Sequence, residues 1–203
     1  MAPCERSAMV KGGRGIGRGI VGALGALGPS VVVNDRSDES AAREASRAAE
    51  ARGAPRWVSI AADVADSEQG HHLIDTTRAE FSRIDVWVSN SGVAPELRLD
   101  PPDRTPTSWD RVLGLKLRGP FFPSQAVARG LINLIGAGAV RASQIHFNSA
   151  VSSTFAGENR GEYRVANAGQ CLVVQLFAIR LIDHGINFFE VITVILATDM
   201  RAW

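Results

Sequence analysis

The sequence predicts an α/β fold, a doubly wound parallel sheet with helices on both faces. Three layers, one domain over residues 1–203 and six strands in the order 3-2-1-4-5-6 are expected. Three observations predict this. Short apolar runs alternate with longer amphipathic or alanine-rich runs, the pattern of parallel strands joined by crossover helices. A glycine turn, Gly12-Gly13-Arg14-Gly15-Ile16-Gly17, separates the first apolar run from the first amphipathic one. Twenty residues after Gly15, an acid, Asp35, closes the second apolar run.

The first strand is read at Ala8 to Val10 and the first helix to about Leu27, broken by Gly28-Pro29. Ser30 to Asn34 is the second strand. The alanine-rich stretch Ser40 to Arg52 is a helix stopped by Gly53. Trp57 to Ala62 is the third strand. Asp66-Ser67-Glu68-Gln69 reads as a capping box for a helix reaching Phe81. Ile84 to Val88 is the fourth strand, and Asn90 to Pro102 is loop. Thr105 caps the next helix, with Pro106 at its first position. That helix runs from Thr107 to Ile135 with a bend near Gly119-Pro120. Ile145 to Ser149 is the fifth strand, Tyr163 to Asp183 a helix, and Ile186 to Leu196 the sixth strand.

Composition narrows the function classes. Of 203 residues, 45% are apolar and 21% charged, which suits a globular chain. A net charge of +1 gives no electrostatic basis for nucleic-acid or anionic-membrane partners. The only lysines are Lys11 and Lys116, and both fall inside motifs. Cys4, near the N-terminus, and Cys171, expected to be a small core residue, form no disulfide framework, so a cytoplasmic location is expected. No secretory leader is visible at the N-terminus, and the apolar run Val191 to Ala197 is too short to span a bilayer.

The glycine turn has its own chemistry. Glycines let the main chain approach a pyrophosphate at a helix N-terminus. A strand-end carboxylate such as Asp35 accepts hydrogen bonds from ribose hydroxyls and repels a 2′-phosphate, which favours NAD over NADP. Arg36 could instead pair with a 2′-phosphate. Lys11 enters the turn as a long cation, either meeting a phosphate or pointing to solvent.

Several motifs in order carry a family likeness: Gly12 to Gly17, Asp63-Val64, Ser89-Asn90-Ser91-Gly92, Tyr163 to Asn167, and Ala197-Thr198-Asp199-Met200. With these the chain resembles the short-chain dehydrogenase/reductase family, near its 3-ketoacyl carrier-protein reductases. The resemblance implies a Rossmann fold and NAD(P)-dependent interconversion of a ketone and a secondary alcohol. It implies that Gly12, Gly13, Arg14, Gly15, Ile16 and Gly17 cradle the cofactor, flanked by Asp35, Arg36 and Val64. Asp63 matches an aspartate that bonds the adenine amine, or is a turn residue leading a helix. Asn90 and Gly92 match a turn that backs the cofactor.

The family uses a tyrosine as acid/base, a lysine four residues on, a serine thirteen residues before, and an asparagine in the preceding long helix. A phenol with an ordinary pKa of about 10 needs a neighbouring cation to work near neutrality. Tyr163, the chain's single tyrosine, is in place. The lysine position holds Asn167, the serine position Ala150, and the asparagine position Lys116. The Pro-Gly expected after the sixth strand reads Thr193-Val194. Asn and Lys are thus exchanged between positions 116 and 167. Lys116 could supply the cation, and Ser149 or Ser152 the missing hydroxyl. Ser152 shares strand parity with position 150 and Ser149 does not.

The remaining polar residues read as structural. His71-His72 and His184 are surface or capping groups, and His146 is a buried, hydrogen-bonded strand residue. No metal-ligand spacing is present. The resemblance also implies a lid, a further helix and a seventh strand after Trp203, which in the family build a common homo-oligomer interface. Without them the sixth strand is an edge, and apolar surface near Phe188, Phe189 and Ile195 is left exposed. Three readings follow: an oxidoreductase whose activity is weak or lost, a non-catalytic dinucleotide-binding or subunit-partner protein, and an unstable relic.

Overall fold

All five residues of the first strand, β1 (Ser7–Lys11), are buried, as a strand with neighbours on both edges and helices on both faces must be. The computed structural model describes residues 6–36, 38–90, 92–141 and 143–194. Cys4, Ser91, Ile195, the stretch 197–200 and Trp203 lie outside the described residues. The remaining strands are β2 (Ser30–Asp35), β3 (Trp57–Ala61), β4 (Val86–Ser89), β5 (Ser143–Ala150) and β6 (Ile186–Thr193). They form one parallel sheet in the order β3-β2-β1-β4-β5-β6, as the sequence predicts.

The helices are α1 (Gly15–Ala26), α2 (Glu39–Glu50), α3 (Ser67–Phe81), α4 (Pro106–Leu113), α5 (Gly119–Gly136) and α6 (Gly161–Leu181). Strand parity sorts them onto two faces. Val10, Val31, Val33 and Val88 point to one side and pack with Val21 of α1 and Ala42, Ala45 and Ala49 of α2. Met9, Val32, Trp87, Ile145 and Phe147 point to the other and pack with Leu73 of α3, Leu131 of α5 and Val173 of α6. The alanines of α2 let it lie close to the sheet. Trp87 is fully buried, and its indole N–H donates to Ser124 Oγ at 2.9 Å.

The caps form nearly as the sequence implies. Asp38 accepts from Ala41 N–H, and Thr105 from Ser108 N–H. Asp66 accepts from the N–H groups of Glu68 and Gln69, but Gln69 does not complete the capping box. Its Oε1 accepts from Asp63 N–H at 2.9 Å instead, tying the end of the β3 loop to α3.

The expected bend near Gly119-Pro120 takes a different form. One helical run from Pro106 to Gly136 contains a π-helical turn, Gly114–Arg118. Pro120 and Pro123 lack the N–H groups that an α-helix would direct to the carbonyls of residues 116 and 119. The wide turn uses the freed space and carries Leu115 and Lys116 inward, where both are buried.

Other expectations need correction. Strand five stops at Ala150, and a 3₁₀ turn, Val151–Ser153, follows, so the strand-parity argument for Ser152 does not apply. Phe188 is only 6% exposed, whereas Phe189 beside it is 43% exposed. Cys171 is partly exposed rather than core, and its Sγ donates to Glu190 Oε1 at 2.8 Å. His146 is half-buried, with Nε2 3.0 Å from Gln144 Oε1 and its ring stacked on Phe189. The helical stretch Gly161–His184 is long and apolar enough to cross a membrane, but Val173, Val174 and Leu181 pack into the core. Its outer side carries an apolar stripe of Val165, Leu172, Leu176 and Ile179.

Candidate cofactor and active site

At the end of β1 the chain turns sharply. Gly12 has φ 119°, in the left-handed region that favours glycine, and its N–H donates to Asn34 O at 2.7 Å. A Cβ on Gly17 would overlap the carbonyl oxygen of Gly12, so α1 starts hard against the turn. Unlike α2, α3 and α4, α1 has no side-chain cap, and no acid stands in its first turn. Its first N–H groups therefore face outward at the positive end of the helix dipole, a geometry that accepts phosphate.

A cleft of about 850 Å³ opens in front of this turn. Gly12, Arg14, Gly15, Ile16, Asp35, Arg36, Val64, Asn90 and Gly92, all named from the sequence, line it. Gly13 and Gly17 shape the turn without lining the cleft. Gly13 N–H donates to Asp35 Oδ2 at 3.1 Å, and Asp38 N–H to Asp35 Oδ1 at 3.3 Å, so the strand-end acid also fastens the turn. Asp63 does not line the cleft. Its Oδ1 accepts from Ala65 N–H at 3.0 Å, and its Oδ2 meets Arg36 Nη1 at 3.3 Å. Two predicted contacts are therefore engaged with each other. The cleft is roomy enough for a dinucleotide, and the uncapped helix, the glycine approach and the strand-end acid all suit one.

Lys11 does not point to solvent, which overturns one of its two alternatives. It is 2% exposed at the cleft floor, and Nζ donates to Leu115 O at 3.2 Å. Burial pushes its pKa down to about 7, and the charge of Lys116 adds to this, partly offset by Asp63.

The π turn delivers Lys116 to Tyr163. Lys116 Nζ lies 4.9 Å from the Tyr163 ring centroid, and a Cβ on Gly92 would come within 3.1 Å of that nitrogen. Lys116 is buried, and desolvation lowers its pKa to about 8. Tyr163, in the first turn of α6, is shifted the other way. Burial raises its pKa more than the Asn167 hydrogen bond and the Arg160 charge lower it. Asn167 Nδ2 donates to the main-chain oxygen of Tyr163 at 2.6 Å, and its buried Oδ1 has no hydrogen-bond partner among the described residues. Tyr163, Lys116 and Asn167 thus come together. The hydroxyls of Ser149 and Ser152 are buried without hydrogen-bond partners among the described residues.

Several contributors escape a reading by spacing. Asn148 donates to Asn90 Oδ1 at 2.8 Å while Asn90 Nδ2 reaches Lys11 O at 3.4 Å, joining the ends of β1, β4 and β5. Asn34 Nδ2 holds Ile60 O and Ala62 O at 3.0 and 3.1 Å. The loop residues Val93 to Glu96, with Arg98 and Arg111, complete the cleft wall and have no sequence signature.

A family model described as Enoyl-(Acyl carrier protein) reductase matches residues 10–202. The chain belongs to the short-chain dehydrogenase/reductase family. Within that family it is 30% identical over 190 residues to a 3-oxoacyl-[acyl-carrier-protein] reductase of Synechocystis sp., covering 92% of this chain and 72% of the relative. It is 30% identical over 201 residues to an L-rhamnose 1-dehydrogenase (NAD(P)(+)) of Azotobacter vinelandii, covering 97% and 75%. Among solved structures, a 3-oxoacyl-[acyl-carrier protein] reductase from Brucella melitensis in complex with NAD superposes with a TM-score of 0.87 at 33% identity, covering 98% of this chain and 76% of that one. A short chain dehydrogenase from Burkholderia cenocepacia in complex with NADP superposes with a TM-score of 0.85 at 26% identity, covering 97% and 76%. Family members with solved structures thus bind either dinucleotide.

Proposed function

We propose that this chain holds an NAD(P) dinucleotide in the cleft, NAD in preference to NADP. We further propose that its oxidoreductase turnover on a small ketone or secondary alcohol is weak or lost. One observation carries this second part: the Tyr163 phenol is held above its ordinary pKa, with Asn167 and Ala150 where a cation and a hydroxyl would assist it. Asp35, in the cleft wall, supports the preference for NAD, because a carboxylate there repels a 2′-phosphate. The paired cysteine chemistry of secreted chains is not supported by Cys171, a free thiol, and a cytoplasmic location is part of the same reading.

In this reading the uncapped N-terminus of α1 binds the pyrophosphate and Asp35 the ribose hydroxyls. Asn90 braces the turn through the main chain of Lys11. A nicotinamide held there would supply the hydride-transfer chemistry. Tyr163 is the group that gives or takes the proton at the substrate oxygen. A neutral phenol gives a proton poorly and cannot take one near neutral pH, so the step is slow.

A second reading has its own observation. Lys116 Nζ over the Tyr163 ring supports the exchange of Asn and Lys between positions 116 and 167, with Lys116 as the surviving cation. Titrating NADH and NADPH, followed by fluorescence and melting temperature, and then adding a panel of ketones tests both. Binding with negligible turnover, rising when Ala150→Ser and Asn167→Lys are combined, supports weak activity. Wild-type turnover abolished by Lys116→Ala supports the exchange. Absence of binding to either dinucleotide overturns the cofactor reading.

A further inference from the structure

The only two lysines of the chain, Lys11 from β1 and Lys116 from the π turn, are buried in the same region. Lys11 Nζ bonds the carbonyl of Leu115, the residue before Lys116, and their charges repel. Among the described residues, no hydrogen-bond acceptor meets Lys116 Nζ, and no carboxylate lies within ion-pair range of either amine. The nearby acids are engaged elsewhere. Asp63 pairs with Arg36, Glu96 with Arg111, and Asp35 takes the N–H groups of the glycine turn. A desolvated ammonium that meets only a carbonyl or an aromatic ring and no counter-ion is costly, and an anion brought by a ligand offsets that cost.

We infer that the substrate of this site is a small oxo acid, its carboxylate held by Lys116 and its ketone oxygen turned to Tyr163. The inference rests on Tyr163 being the acid/base group of the site. The dinucleotide phosphates do not satisfy Lys116, because their cradle is the start of α1, whereas Lys116 stands against Gly92 and the Tyr163 ring. A neutral ketone would leave the ammonium without a counter-ion. An oxo acid carries its carboxylate close to the carbonyl carbon, so one small molecule can reach both the phenol and an ammonium lying over that phenol's ring. Lys11, which lines the cleft floor, lies behind Leu115 and bonds its carbonyl.

The test uses the full chain saturated with NADH and compares calorimetric binding of pyruvate, acetoacetate, butanone and inorganic phosphate. The oxo acids are expected to bind at least about tenfold more tightly than butanone. Lys116→Met should erase that preference with NADH affinity retained, and Lys116→Arg should keep part of it. Equal affinity for butanone and the oxo acids overturns the inference, as does a preference that survives Lys116→Met. Phosphate competing as well as pyruvate overturns it too, since the locus would then be a general anion site. The wild-type comparison decides even if Lys116→Met does not fold. Failure to bind NADH strikes the cofactor reading alone, and the same oxo-acid titration on cofactor-free protein then decides the inference.

Discussion

Lys116 Nζ stands over the ring of Tyr163, 4.9 Å from its centroid. A cation over the π face is held by the ring quadrupole. Where the family likeness implies a lysine four residues on, Asn167 spends its amide on the Tyr163 main chain. Burial outweighs the Asn167 hydrogen bond and the Arg160 charge at the phenol, and its pKa rises.

Because Tyr163 is the only tyrosine, phenolate absorbance reports it without overlap from another phenol. The folded protein should ionise above the ordinary value of 10.0. Asn167→Lys should bring the midpoint down by about one unit or more, since a nearby cation stabilises phenolate. A wild-type midpoint at or below the ordinary value would show that Lys116 or another charge already activates the residue.

The lysines make stability depend on pH in an unusual direction. Their folded values of about 7 and about 8 lie below the ordinary 10.5. Between those values and 10.5 the unfolded chain carries protons that the folded chain has released. Stability then rises with pH across this window and gains nothing from these groups below about pH 7. Tyr163 acts oppositely, because its folded pKa is raised, so stability declines once pH passes its ordinary 10.0. Melting temperature should climb from about pH 7 toward about pH 9.5 and then fall. The double variant Lys11→Met, Lys116→Met should flatten the climb. A wild-type melting temperature flat or falling between pH 7 and 9 would contradict the assigned burial of the two amines.

What the sequence shows of this molecule follows from which interactions are local. Strand order, the glycine turn and the caps Asp66 and Thr105 are written in spacing and parity, and the structure reproduces them. The inward turn of Lys116 is not, because a π turn depends on how the proline-interrupted helix packs against Val64 and Gly92. The burial of Lys11 was equally hidden, since its partner is a carbonyl 104 residues away. Parity misplaced Ser152 because nothing local marks the point where β5 gives way to a 3₁₀ turn.

Two glycines of α1 separate architecture from propensity. Gly17→Ala places a methyl group on the Gly12 carbonyl and close to the Asn90 amide, so the turn must open. Loss of measurable NADH binding and a lower melting temperature are expected. Gly19 is exposed, and a Cβ there meets nothing within 4 Å. Gly19→Ala should raise stability by up to about 1 kcal/mol through helix propensity alone, with NADH affinity unchanged. Equal effects of the two substitutions would mean that the turn does not hold the cofactor.

Tyr163 is also positioned through its neighbour. Glu162 is completely buried, and its Oε1 accepts from Arg104 Nη1 at 2.9 Å and from Ser108 Oγ at 2.6 Å. Arg104 additionally donates to the carbonyls of Leu97 and Leu99. One carboxylate at the start of α6 thus straps down the loop that walls the cleft. Glu162→Ala leaves a buried guanidinium without its counter-ion and should cost about 3–5 kcal/mol. Replacing both partners with methionine should cost much less, because no charge is then stranded. Tryptic cleavage after Arg98 should accelerate in Glu162→Ala relative to wild type under native conditions, because the released loop opens without global unfolding. If cleavage there keeps the wild-type rate while stability falls, the ion pair anchors the helix but not the loop.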